Sequence, residues 1–255
     1  MLYPKNADKK IDPALFKNPS AEYRCTPFWA WNCDLKKDEL LEEIGYMKQM
    51  GMGGFHMHTR VGMSTRYLSD EYMALIRACA NEAEKEKMLA WLYDEDKWPS
   101  GFAGGYVTQK KENRLKFLLL TTTPYEKSVQ GEMLKSWSGR VCRANNGTLL
   151  CRYDVGLDED GYLSTYRRLD EGQEAEHTEW FCYLETQPES PWFNYQTYVD
   201  TLSKSAIDDF IHTTHDRYKE CIGEKFGKSV PAIFTDEPQV TRKLLLHRAK
   251  DTDRD

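Results

Sequence analysis

Gly53-Gly54-Phe55-His56-Met57-His58-Thr59-Arg60 and Met88-Leu89-Ala90-Trp91-Leu92-Tyr93-Asp94-Glu95-Asp96 decide how this chain is read. Both stretches are short, and both end in ionisable side chains. The first alternates with period two, which marks a strand with two distinct faces. Between them, Ser69 to Lys87 reads as a helix, with Ser69 as N-cap and Asp70 and Glu71 near the positive end of its dipole. Upstream, Lys36 to Met50 places Leu40, Leu41, Ile44, Met47 and Met50 at helical spacing and stops at Gly51. Before that helix, the aromatic run Pro27 to Asp34 is too short for a buried helix and reads as a strand. Strand, helix, strand, helix, strand at short spacing is the pattern of right-handed βαβ units and a parallel sheet.

The rhythm changes after Trp98-Pro99-Ser100-Gly101. From about Asn113 to Thr186 the segments are β-like, with hairpin signals at Asn146-Gly147 and Asp160-Gly161 and no amphipathic helix. An inserted antiparallel β subdomain is expected there, bounded by Pro188 and Pro191. A third helix is expected over Ser205 to Phe226, with Ile207, Phe210, Ile211 and Tyr218 on one face, and a fourth strand over Pro231 to Pro238. The expected organisation is therefore 1–112 for three strands with their helices, 113–190 for the insertion, and 191–255 for the third helix, fourth strand and tail.

The chain has 255 residues, 41 acidic against 35 basic, for a net charge of -6, which disfavours nucleic acid as the main partner. The N-terminus lacks the apolar core of a secretory signal, and the longest apolar run, Phe117 to Leu120, is far too short to cross a bilayer. Seven scattered cysteines, with no C-x-x-C pair, read as buried reduced thiols in a cytoplasmic protein. Aromatic residues make up 13% of the chain, a composition that suits sugar-binding clefts as well as ordinary cores.

In a parallel barrel the C-terminal strand ends line one mouth. Here they carry Trp31, Asn32 and Asp34, then His56, His58 and Arg60, then Tyr93, Asp94, Glu95 and Asp96, and finally Asp236 and Glu237. Four strands thus aim carboxylates, imidazoles and aromatics at one place. Period two puts His56, His58 and Arg60 on one face. Two histidines at i,i+2 lack the further ligands of a transition-metal site, so no metal is assigned to them. His212 and His215, at i,i+3 on the third helix, read as surface or packing residues. Glycoside hydrolysis needs two carboxyl groups, one of raised pKa. Glu237 is expected to be that acid, raised by the charge of Asp236. Asp94, Glu95 and Asp96 offer acceptors for sugar hydroxyls or oxygen ligands for a hard cation such as calcium.

The segments Phe28-Trp29-Ala30-Trp31-Asn32, Gly53 to Arg60, Trp91-Leu92-Tyr93-Asp94-Glu95-Asp96-Lys97-Trp98-Pro99-Ser100-Gly101 and Phe234-Thr235-Asp236-Glu237-Pro238 resemble the N-terminal half of bacterial proteins related to the family 106 α-L-rhamnosidases. The resemblance implies an α/β fold: the first four strands of a TIM-like (β/α) barrel, carrying the inserted antiparallel β subdomain. It also implies hydrolysis of α-linked deoxysugars in plant or microbial glycans, inversion at the anomeric carbon, and a calcium ion near the sugar. By the same likeness Glu237 falls where many barrel glycosidases keep their general acid. Trp31, Asn32, His56, His58, Arg60, Tyr93, Asp94, Glu95 and Trp98 look like subsite residues for an oligosaccharide or glycoside.

Relatives of this kind run several hundred residues further, and the second catalytic carboxylate comes from a later strand. The tail with Leu244-Leu245-Leu246 offers no replacement, so this polypeptide alone is expected to hydrolyse weakly or not at all, and to self-associate through open barrel edges. Two other functions fit the residues. One is a carbohydrate-binding protein without catalysis, and the other a metal-dependent barrel hydrolase using His56, His58 and Asp94.

Overall fold

Leu40, Ile44 and Met47 recur every three to four residues, and in the structure they form the buried stripe of one helix. That structure is a computed structural model describing residues 9–127, 143–240 and 253–254. In chain order its main elements begin with a short helix α1 (Pro13–Lys17), β1 (Phe28–Trp31), α2 (Lys37–Gln49), β2 (Gly54–Thr59), α3 (Asp70–Lys85) and β3 (Leu89–Tyr93). Then come β4 (Lys116–Thr121), β5 (Thr148–Leu157), β6 (Leu163–Leu169) and β7 (Thr178–Thr186). The chain continues through α4 (Lys204–Thr213), α5 (His215–Ile222), β8 (Ile233–Phe234) and β9 (Asp253–Arg254). The Leu244 tail and Cys142 lie outside the described residues.

Two compact units emerge, one of residues 1–107 with 204–239, the other of 108–203 with 240–255. The first holds a four-stranded parallel sheet in the order β1-β2-β3-β8. The sheet is open, and no closed barrel is seen among the described residues. Gly54 is required by its contact with β3, because a Cβ there would sit 2.2 Å from the Leu89 carbonyl oxygen. One face of the sheet is covered. Trp31, Phe55, Met57, Ala90 and Leu92 join Ile44, Tyr72, Ile76 and Ile222 in the core. The helix signals hold in detail: Ser69 Oγ accepts from Tyr72 N at 3.1 Å, and Gly51 takes φ +82 just past the end of α2.

Three sequence expectations change. The single third helix is two, α4 and α5, divided at Thr214, which is buried and whose Oγ1 donates to the Phe210 carbonyl at 2.8 Å. The fourth strand is only Ile233–Phe234, since past Phe234 the pairing to β3 ends. Cys25 and Cys33 are exposed, not buried.

The second unit is an antiparallel sheet in the order β6-β5-β7-β4-β9. Its buried face includes Leu119, Leu169, Tyr183 and the fully buried Glu185. The Glu185 carboxylate accepts from the Tyr125 hydroxyl at 2.6 Å and from the backbone N–H groups of Ala144 and Asn145 at 2.6 and 2.8 Å. The Asp160-Gly161 turn joins β5 to β6, with Gly161 at φ +85. Asn146-Gly147 is not a hairpin turn. The Asn146 amide exchanges two hydrogen bonds with the Thr186 backbone, fastening the start of β5 alongside β7.

Candidate functional site

Parallel register arranges side chains in rows across the sheet of the first unit. Phe28 pairs with His56 and His56 with Trp91, while Ala30 pairs with His58 and Tyr93 with Phe234. Residues in register share a face, so Phe28, His56, His58, Trp91, Tyr93 and Phe234 all stand on the side opposite α2 and α3. Their rings touch: His56 stacks on Trp91 with centroids 5.1 Å apart, His58 on Tyr93 at 3.9 Å, and Phe28 meets both histidines edge-on. Phe28 remains 55% exposed, so this aromatic face is open at β1.

The C-terminal edge of that face holds the ionisable groups. Asp236 Oδ2 lies 3.5 Å from the Tyr93 hydroxyl and 4.0 Å from His58 Nε2. His58 Nδ1 is 3.2 Å from the Thr59 carbonyl. A carbonyl only accepts, so Nδ1 carries the hydrogen and Nε2 presents a lone pair toward Asp236. Burial pushes His58 down to about 4, helped by the positive charge of Arg60, so the imidazole is neutral at neutral pH. Burial lowers His56 too. Asp236 is raised, first by burial and then by the negative charge of Glu237. Glu237 is exposed, at φ +42, and accepts from Trp98 Nε1 at 2.9 Å.

The acids after β3 are held differently. Asp94 is fully buried and accepts from Ser100 Oγ and Thr235 Oγ1, each at 2.6 Å, with His215 Nε2 3.7 Å away. Burial raises its carboxyl against these two hydrogen bonds. Ser100 Oγ also accepts from Asp236 N at 2.8 Å, so one hydroxyl links the two acidic strand ends. Glu95 is fully buried beneath the loop 101–104. Oε2 accepts from the N–H groups of Gly101, Phe102 and Ala103, and Oε1 from Gly104 and Asp96, over 2.6–3.0 Å. Burial pushes this carboxyl up to about 8, and the backbone donors oppose that rise.

Three residues expected to meet substrate are thereby reassigned, Asp94 among them, since its oxygens are taken by Ser100 and Thr235 in the interior. Glu95 anchors the loop and presents nothing outward. Trp31 is 1% exposed and packs edge-on against Tyr72 on the helix side of the sheet, because β1 puts alternate residues on opposite faces. Asn32 and Arg60 are exposed just beyond their strands, and Trp98 is 36% exposed. The surface role expected for His212 agrees with its exposed ion pair to Asp216 at 2.6 Å, whereas His215 turns inward toward Asp94. Sequence reading missed Ser100, Thr235 and His215 as partners of Asp94, and Phe28, Trp91 and Phe234 as the aromatic floor. Period two in the three strands was the signal for the floor. No local pattern announces the Asp94 contacts, which join residues 6 to 141 positions apart.

Asp94 and Glu95 do not fit a calcium site, since hydroxyl or backbone donors already occupy the oxygens of both. Among the described residues, no group of three or more His, Cys, Asp or Glu is arranged to hold a metal ion. Nor is any helix among them long and apolar enough to cross a membrane.

No protein-family model matches the chain, and no curated protein matches it. Among solved structures, a rhamnosidase from Novosphingobium sp. PP1Y is similar at 15% identity and a TM-score of 0.34, over 68% of this chain and 26% of that one. The chain thus spans about a quarter of that structure's length, and the family resemblance rests on the four segments quoted from the sequence.

Proposed function

We propose that the first unit is the front part of a glycoside hydrolase barrel, α-L-rhamnosidase-like, and that Asp236 and Glu237 supply its acid. The observation that carries this reading is the Asp236 carboxyl lying 4.0 Å from the His58 imidazole and 3.5 Å from the Tyr93 phenol, at the edge of an open aromatic face. Aromatic planes take the C–H faces of a sugar, and the polar edge takes its hydroxyls. His56, Arg60, Asn32 and Trp98 then serve as subsite groups around a single sugar, and the buried His58 and Tyr93 position Asp236 from behind. Asp94 serves the site indirectly, by tying Ser100 and Thr235 to the strand ends.

In this mechanism a protonated carboxyl of the pair gives its proton to the glycosidic oxygen as the C–O bond breaks, and a second carboxylate stabilises or activates the incoming water. Asp236 is the better holder of the proton, since burial and the Glu237 charge both favour its neutral form. Glu237, exposed and hydrogen-bonded by Trp98 Nε1, supplies the neighbouring negative charge that favours the proton on Asp236.

Hydrolysis of aryl α-L-rhamnosides by the purified chain, by Asp236→Asn and by Glu237→Gln tests this reading. A variant lacking the acid should lose turnover of alkyl or umbelliferyl glycosides by roughly a hundredfold or more. It should keep turnover of a dinitrophenyl glycoside, whose phenolate leaves without a proton. A change of sugar affinity in either variant, with no change in turnover, would instead favour the non-catalytic carbohydrate-binding function.

A further inference from the structure

In the second unit, β5 and β7 run antiparallel with Cys151 directly opposite Cys182. Residues opposite one another in such a pair have Cα atoms about 4.5 or 5.5 Å apart, and both separations lie within the roughly 4.4–6.8 Å that disulfides span. Opposed residues also share a face, so the two Cβ atoms point to the same side. This register depends on a bulge. Leu149 pairs with Tyr183 and Cys151 with Cys182, leaving Leu150 as the extra residue. Without it Leu150 would face Cys182, and Cys151 would point to the other side of the sheet. Among the described residues no other two cysteines stand opposite each other across a strand pair.

We propose that Cys151 and Cys182 are a reversible redox site, which low-molecular-weight disulfides convert into a cross-strand disulfide joining β5 to β7. Cys151 is half-buried and Cys182 is 6% exposed, so solvent meets Cys151 first. The Cys151 thiolate attacks one sulfur of oxidised glutathione, and one glutathione leaves as thiolate and takes up a proton. Cys182 then loses its proton and displaces the second glutathione from the mixed disulfide. Two protein thiols are oxidised, one glutathione disulfide is reduced to two thiols, and no other reactant is needed. Burial, followed by the neighbouring Cys151 thiol, pushes the Cys182 thiol up to about 11. The second step is therefore the slow one at neutral pH, and its rate should rise about tenfold per pH unit between about 7 and 9.

The test is incubation of the full chain with excess oxidised glutathione at about pH 9, alkylation of remaining thiols, and peptide mass mapping. The expected product is one intramolecular cross-linked peptide pair containing Cys151 and Cys182, lighter by two hydrogens than the reduced pair. The melting temperature should rise by several degrees, return on treatment with dithiothreitol, and not shift in Cys151→Ser. The proposal is overturned if both cysteines are recovered alkylated, if Cys151 keeps a stable glutathione adduct, or if either pairs with a different cysteine.

Discussion

Asp94-Glu95 after β3 and Asp236-Glu237 after β8 are two pairs of adjacent acids at the ends of neighbouring strands, yet the fold uses them in opposite ways. The first pair is fully buried and saturated: Asp94 by two hydroxyls, Glu95 by five backbone N–H groups. The second pair keeps its carboxyls toward the open edge, with Asp236 near Tyr93 and His58 and Glu237 exposed against Trp98. A carboxylate whose oxygens are all taken by backbone donors is part of the framework. One that keeps unfilled acceptor positions at an open edge is available for proton transfer.

The contrast breaks most sharply at Glu95. Glu95→Gln places amide hydrogens against N–H groups of the loop 101–104, and should cost about 1–3 kcal/mol in urea unfolding for each buried donor left without an acceptor. Asp236→Asn, which keeps a neutral group of the same shape, should leave stability within about 1 kcal/mol at neutral pH while removing acid-dependent turnover. Equal losses of stability in the two variants would erase the distinction.

His58 provides a pH test of comparable size. Its folded pKa of about 4 lies below the usual histidine value of 6.5, so between these limits the unfolded chain binds more protons. The stability of the neutral imidazole is fully present above pH 6.5 and is lost as pH falls toward about 4, by on the order of 3 kcal/mol. Urea unfolding of the parent chain and of His58→Phe across that window checks this, since the variant should lose that part of the slope. Asp236 acts with the opposite sign. Its raised carboxyl favours the fold at low pH, and that contribution is lost as pH rises through its folded pKa.

Smaller effects refine the same comparison. Ser100→Ala removes one donor from buried Asp94 and should destabilise by about 1–3 kcal/mol. Trp98→Phe removes the N–H that holds Glu237 along with part of the ring, and should lower kcat several-fold with a smaller effect on the unfolding midpoint. Phe28→Ser makes the open face more polar and should lower any self-association seen by light scattering.

Much of the first unit is legible from local pattern, because helix caps and apolar spacing act over a few residues. Ser69, Gly51 and the stripe of Leu40, Ile44 and Met47 each have one physical reading. Period two also assigns His56 and His58 to one face. The same period would have sent Trp31 to the helix side, but its place at a strand end obscured that. Asn146-Gly147 misleads because an amide hydrogen-bonded to Thr186 uses the same residues as a tight turn.

The sequence by itself determines the βαβ order, the separate β-rich unit and the gathering of acids, histidines and aromatics at strand ends, since all of these follow from periodicity and turn chemistry. Only the tertiary structure decides which acid is framework and which is free, that His215 faces Asp94, and that a one-residue bulge aligns Cys151 with Cys182. Those outcomes depend on which backbone groups and side chains meet across long sequence separations. Burial and hydrogen bonding at these meetings give otherwise identical side chains different chemistry.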